Sequence, residues 1–302
     1  MKKFFIIPLV LSLLLFSAAN ACDICGCGVG NFNPHMFPHL SRNFISVGYT
    51  YRYYDTHAHD EDGNDIMNRE SYNSFFLAGQ IAFGKKIQVM AILPFQSNSQ
   101  SGPEGNKSLN KLGDAVLLVN YRLYDKKDND KFRQTVIVGG GFKLPTGNYD
   151  FDDANEKQVG NPNFQAGSGS TDWLLNGSYN VRLNNWALTA GATYKINTTN
   201  KADYLFGNRL LGVMQVKYIQ NAGNISLIPN LGLNYENMRM DKSEGATVDH
   251  TGGNNLQLTG GLDLNSQKWA VGVVYNKPIS QNLGEGYIHA MPGVSVHLSY
   301  SF

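Results

Sequence analysis

Cysteine is almost missing from this 302-residue chain: Cys22, Cys25 and Cys27 are the only three. Nothing beyond position 27 can therefore be stapled by disulfides or built around a cysteine metal site. Charge is sparse too, at 16% of residues, and it is balanced, with 25 basic against 24 acidic. Without a basic surplus, a nucleic-acid partner has no support. Long apolar runs are missing apart from Phe4–Phe16, which follows Lys2 and Lys3 and precedes small residues ending at Ala21. That arrangement reads as a secretory signal peptide over 1–21, too short to span a bilayer. Setting it aside leaves 23 basic and 24 acidic residues, and no candidate transmembrane helix. An exported chain of this kind can belong to a membrane only as a closed barrel.

What is present in quantity is glycine (32), tyrosine (16) and phenylalanine (16), arranged with a period of two. In the last stretch, Met291–Phe302, Val294, Val296, Leu298, Tyr300 and Phe302 alternate with Ser295, His297, Ser299 and Ser301. One face of such a strand is apolar and the other polar. Eleven further stretches alternate in the same way: Asn43–Tyr54, Tyr72–Phe83, Ile87–Gln96, Leu112–Tyr124, Phe132–Leu144, Ser170–Leu183, Trp186–Asn197, Phe206–Ile219, Asn224–Asn237, Asn254–Asn265 and Lys268–Ile279. Phe206–Ile219 is the least regular, because Leu210–Leu211 and Val213–Met214 interrupt it. Each is about as long as a tilted membrane strand requires, and roughly twice the length of strands in a soluble sandwich.

The connections alternate as well. Short ones (84–86, 125–131, 184–185, 220–223, 266–267) take turns with long ones (55–71, 97–111, 145–169, 198–204, 238–253, 280–289). Tyr53, Tyr54, Tyr124, Trp173, Trp186 and Trp269 fall near strand ends, where an aromatic girdle would sit. The expected fold is all-β: a transmembrane, antiparallel, up-and-down β-barrel of about 12 strands, with short periplasmic turns and long extracellular loops. The expected organisation is a signal peptide over 1–21, a Cys/His-bearing periplasmic segment over 22–42 that could plug the lumen, and the barrel over 43–302.

Three segments carry a family resemblance: Lys111–Leu123 (KLGDAVLLVNYRL), Gly140–Tyr149 (GGFKLPTGNY) and Ala166–Leu183 (AGSGSTDWLLNGSYNVRL). The stretch from Lys111 to Phe302 resembles outer-membrane barrels assigned as transporters of the phenol-degradation meta-pathway (MetA) type. The resemblance implies an outer-membrane location and a pore or carrier for small molecules, without fixing the solute. A final strand ending in an aromatic such as Phe302 is also similar to those read by the barrel-assembly machinery. Outer-membrane lipid, that machinery and a small-molecule solute are therefore the expected partners.

If apolar faces meet lipid, the other faces line the interior. Parity turns Arg52, Arg122, Arg133, Lys143, Arg182, Lys195, Arg209 and Lys217 inward, against Asp114, Asp172, Glu236 and Asp263. Eight basic residues against four acidic ones suggest a water-filled path leaning towards anions. The alternative is an internal network of paired charges that closes a narrow barrel. The same face carries Phe76, Met90, Ile92, Leu118, Leu174, Ile228 and Val274. These suit a packed interior, and equally a route for small hydrophobic molecules.

The cysteines sit as CDICGC beside His35, Met36 and His39. Cys22, Cys25, Cys27, His35 and His39 could hold Zn or Cu(I). A disulfide is the rival, with one thiol left over; Cys22 as a lipid anchor is disfavoured by Ala19 at the position where Leu is usual. Apart from this metal ion no cofactor is expected. The loop HAHDEDGND (57–65) lacks the glycine an EF-hand needs after Asn64 and reads as a solvated acidic loop. A barrel phospholipase would need a lipid-facing Ser–His pair, whereas His297 faces inward, so no enzyme is expected. The reading that follows is an outer-membrane channel or transporter for small solutes, anion-leaning or taking small hydrophobic molecules. The alternative is a metal-handling outer-membrane protein that works through the Cys/His segment.

Overall fold

The structure is a computed structural model that describes residues 43–59, 65–102, 105–128, 131–149, 151–152, 155–159 and 164–302. Twelve antiparallel strands form the wall: β1 (Phe44–His59), β2 (Asp65–Phe83), β3 (Ile87–Gly102), β4 (Ala115–Asp128), β5 (Phe132–Leu144), β6 (Asp172–Leu183), β7 (Trp186–Ile196), β8 (Arg209–Tyr218), β9 (Ile225–Met238), β10 (Gly253–Asn265), β11 (Trp269–Leu283) and β12 (Gly293–Ser301). Each pairs with its sequence neighbour, and β12 returns to β1 in the register Ser46↔Ser299 and Tyr51↔Val294, so the sheet closes and no edge is left. No α-helix occurs among the described residues.

The period-two pattern sets which side chains face lipid. Ile45, Val47, Leu77, Ile81, Leu117, Val119, Leu175, Leu231, Val271 and Leu298 are all exposed on the outer face. In water such a surface would be costly; in hydrocarbon it is the expected belt. Trp173, Trp186, Trp269 and Tyr124 are exposed near strand ends, as an interfacial girdle requires. Tyr54 departs from that expectation: it faces inward, is buried, and packs edge-on against Tyr72.

Two expected loops, 55–71 and 97–111, are largely strand. β1 runs on to His59, β2 begins at Asp65, and β3 continues to Gly102 against Gly105–Leu112. Of the acidic stretch 57–65, His57 and His59 therefore lie inside β1 and Asp65 opens β2. Polar residues do not end a strand whose backbone bonds remain paired, and 16 to 19 residues exceed what a bilayer needs. The surplus projects from the extracellular side, placed there by the rule that periplasmic turns are the short ones. Those turns are tight: Asn184 in the two-residue link between β6 and β7 takes φ 53°, a left-handed conformation that asparagine tolerates.

At the extracellular end, Tyr54, Tyr72, Met238, Leu283, Ile288 and Ala290 gather into one apolar cluster, with Phe164 against Tyr72. Beside it, the Asp241 carboxylate accepts from Tyr204 Oη at 2.7 Å and from the Gly207 N–H at 2.7 Å, tying the β7–β8 connection to the β9–β10 connection. Burial pushes the Asp241 carboxyl above its usual range against those hydrogen bonds.

Candidate functional site

The candidate site is the bore, and its two sides differ. On β1 to β4 and β6, the inward positions Phe44, Phe76, Ala78, Met90, Ile92, Val116, Leu118 and Leu174 pack on one another and fill their side. On β8 to β12 the inward positions are mostly amides and hydroxyls, and the described residues leave cavities there. A cavity of about 120 Å³ is bounded by residues that include Thr50, Arg52, Leu211, Val213, Asn230, Glu236, Asn255, Val274 and His297. A second, of about 200 Å³, lies towards the periplasmic turns between Arg133, Asn180, Arg182, Thr189, Ile228 and Asn265. Lys217 and Asp263 line both.

The irregular stretch of β8 is regular in the structure. Leu210, Gly212, Met214 and Val216 face out, while Leu211, Val213, Gln215 and Lys217 face in. The alternation was hidden because both faces carry apolar residues. Of the inward apolar set expected from parity, Phe76, Met90, Ile92, Leu118 and Leu174 are in the packed side, whereas Ile228 and Val274 line the cavities.

Near the extracellular end, charged side chains lie next to one another around the wall. Lys143 Nζ is 3.0 Å from Asp114 Oδ2 and 2.6 Å from Asp172 Oδ2, and all three side chains are at most 1% exposed. Arg209 on β8 pairs with Glu236 on β9 at 3.1 Å, and Lys195 on β7 is paired in register with Arg209. From Asp114 at the start of β4 round to Glu236 on β9, six neighbouring segments of the wall thus carry three carboxylates and three cations, a neutral belt. The two carboxylates beside Lys143 also accept backbone hydrogen bonds, as a buried ion pair requires. The N–H groups of Gly147 and Ser168 donate to Asp114 at 3.0 and 2.8 Å, and that of Thr198 donates to Asp172 at 3.0 Å. Lys143 also touches Ser168 Oγ.

Asp114, Lys143 and Asp172 come one from each of the three segments that carry the family resemblance. Their glycines serve the same junction: a Cβ on Gly147 or Gly167 would lie 2.9 or 2.7 Å from Asp114 Oδ1. The motif therefore pins the β5–β6 connection to the wall. Spacing along the chain gives no sign of it, because residues up to 58 positions apart meet only through strand pairing.

At the periplasmic end, Asp125 receives Arg133 through two bonds of 3.0 and 2.9 Å and Arg122 at 3.3 Å. Sequence parity misses Asp125. A bulge at Leu123 shifts the register, so Tyr124 faces out and Asp125 faces in, within β4 and not in a turn. Glu70 is likewise inward and buried, accepting from Tyr72 Oη and from Gln100 Nε2; alternation places it in the 55–71 connection, but β2 begins earlier, at Asp65. Adding these two brings the inward tally to eight basic against six acidic, and most of those charges neutralise one another. The anion lean loses its basis in that balance. Arg182 is exposed at the rim, donating to the Asn184 carbonyl. Arg52, Lys217 and Asp263 border the open cavity. Cys22, Cys25, Cys27, His35 and His39, with the signal and plug segments, lie outside the described residues.

The closed wall, lipid-facing belt and narrow bore define an outer-membrane β-barrel whose fold is that of a channel. The family described as "Putative MetA-pathway of phenol degradation" matches residues 62–282, and the chain belongs to it. Among solved structures, an outer-membrane channel from Pseudomonas putida F1 is 16% identical, with 86% of this chain and 96% of that one covered at a TM-score of 0.63. The β domain of the Bordetella autotransporter BrkA is 11% identical over 87% of this chain and 100% of that one, at a TM-score of 0.49. No curated protein matches the chain in sequence.

Proposed function

We propose that the barrel is a passive channel for small solutes and that they move along the polar side of the bore. The observation that carries this reading is the pair of cavities, of about 120 and 200 Å³, that share Lys217 and Asp263. An apolar cavity of about 150 Å³ accepts benzene, so each compartment suits a solute of roughly one ring. Leu211, Val213 and Val274 beside amides and hydroxyls favour amphipathic solutes over ions. Family membership supports a small-molecule cargo, and the apolar cluster around Tyr54 and Tyr72 is the barrier that a solute has to pass on the outer side. Outward Val296 and Leu298 give β12 the apolar face that assembly machinery would read, which supports that partner as well.

Reconstitution of the folded full chain tests the channel. Planar bilayers should show small unitary currents with little ion selectivity, and proteoliposomes should swell in small amphipathic solutes sooner than in disaccharides. Folded barrel that gives neither current nor swelling would leave a structural membrane protein.

A further inference from the structure

The place where the two cavities meet holds polar groups that are not satisfied from within. His297 is 6% exposed, and its Nε2 has no hydrogen-bond partner among the described residues. The nearest carboxylate oxygen, Asp263 Oδ1, lies 3.5 Å away. The Lys217 ammonium makes neither a hydrogen bond nor an ion pair within 4 Å among the described residues, although the residue borders both cavities. Asp263 itself is fixed in place: Asn230 Nδ2 donates to its Oδ2 at 3.2 Å, and Gln215 Nε2 holds Asn230 Oδ1 at 2.8 Å. The wall is shaped for the arrangement. Asp263, Gly272 and His297 stand side by side on β10, β11 and β12. A Cβ on Gly272 would overlap both neighbours, so glycine lets the two side chains lean together over β11.

Resting on the channel reading, we propose that Lys217, Asp263 and His297 form a binding point for the hydroxyl group of a small neutral solute about the size of one ring. A hydroxyl carries a donor and an acceptor on one atom. Its O–H can donate to the Asp263 carboxylate while its oxygen accepts from Lys217 Nζ, with His297 Nε2 as the third partner. A carboxylate of the same size would bring a second negative charge against Asp263. A plain hydrocarbon would desolvate all three groups and satisfy none, which is costly for buried polar atoms. Leu211, Val213 and Val274 cover the rest of such a ring.

Fluorine NMR on the folded full chain in detergent, referenced to empty micelles, reads the site directly. The probes are para-fluorobenzyl alcohol, para-fluorobenzoate and para-fluorotoluene. The alcohol should bind saturably, and the other two about tenfold more weakly, the value of one charged hydrogen bond. Lys217→Met should weaken the alcohol by about the same factor while the barrel keeps its folded gel mobility, and His297→Phe should weaken it less. Equal binding of the toluene, or alcohol binding untouched by Lys217→Met, overturns the proposal, as does an absence of saturable binding. Bilayer current is measured separately: current without alcohol binding removes this site alone, whereas alcohol binding without current removes the channel reading and leaves the site.

Discussion

The two sides of the bore are made by the same rule and end in opposite states. Every strand sends alternate residues inward, but β2 and β3 send Phe76, Ala78, Met90 and Ile92, whereas β9, β10 and β12 send Asn230, Asn255, Thr259 and Ser295. Inward apolar groups condense on one another and exclude water; inward amides keep a cavity that water or a solute can enter. The outer face is alike all round because lipid is alike all round. Function therefore resides in the choice of inward residue, which a hydropathy pattern reads only as a uniform "polar" phase.

The sharpest way to break the comparison is to remove one inward lysine from each setting. Lys143 sits between two buried carboxylates and Lys217 beside an open cavity. Lys143→Met strands Asp114 and Asp172 without their cation, and losing one partner of a buried pair costs about 3–5 kcal/mol. Urea titration of the folded barrel should show that loss, with new protease cleavage in the β5–β6 connection. Lys217→Met should leave the urea midpoint close to that of the parent. Similar losses in both would mean that the cavity side is as tightly packed as the other.

The packed side can be opened next. Met90 is fully buried among Phe44, Ala78, Ile92 and Leu118. Met90→Ala should cost about 2–5 kcal/mol through lost contacts and the void left behind. If this side borders the path, the void also widens it, and unitary current should rise even as stability falls. A stability loss with unchanged current would show that the packed side is sealed from the solute route.

Much of this was legible in the chain. Outward Leu117, Val119 and Val271, the near-regular period of two and the tight Asn184–Asn185 turn fix a closed barrel of twelve strands. Strand ends were less legible, since nothing polar at Asp55–His59 or Ser97–Gly102 stops a ladder that stays paired. The inward charges were named by parity, yet their partners were not. Lys143 finds Asp114 and Asp172 through register, and Asp125 reaches Arg133 only because one extra residue at Leu123 turns it over. A bulge leaves no periodic trace when the flanking residues, Leu123 and Tyr124, are both apolar. The cavity was illegible for a related reason: Leu211 and Val213 make β8 look disordered in pattern where it is two-sided.

The smallest expected effect concerns the periplasmic rim. Arg122 and Arg182 are two of the eight inward cations from which parity suggested an anion lean. In the structure Arg122 shares Asp125 with Arg133, and Arg182 is exposed and bonded to its own turn. Arg122→Gln leaves Asp125 held by Arg133, and exposed pairs of this kind contribute about 0–1 kcal/mol. Rim charges are also screened within about 8 Å at physiological salt. Arg122→Gln with Arg182→Gln should therefore leave the urea midpoint unchanged and move the reversal potential in a salt gradient only slightly towards cations. Lys217→Met, in the narrow middle with fewer ions to screen it, should move that potential further. If the rim pair gave the larger shift, selectivity would be set at the mouth, and the polar side of the bore would be a passage without discrimination.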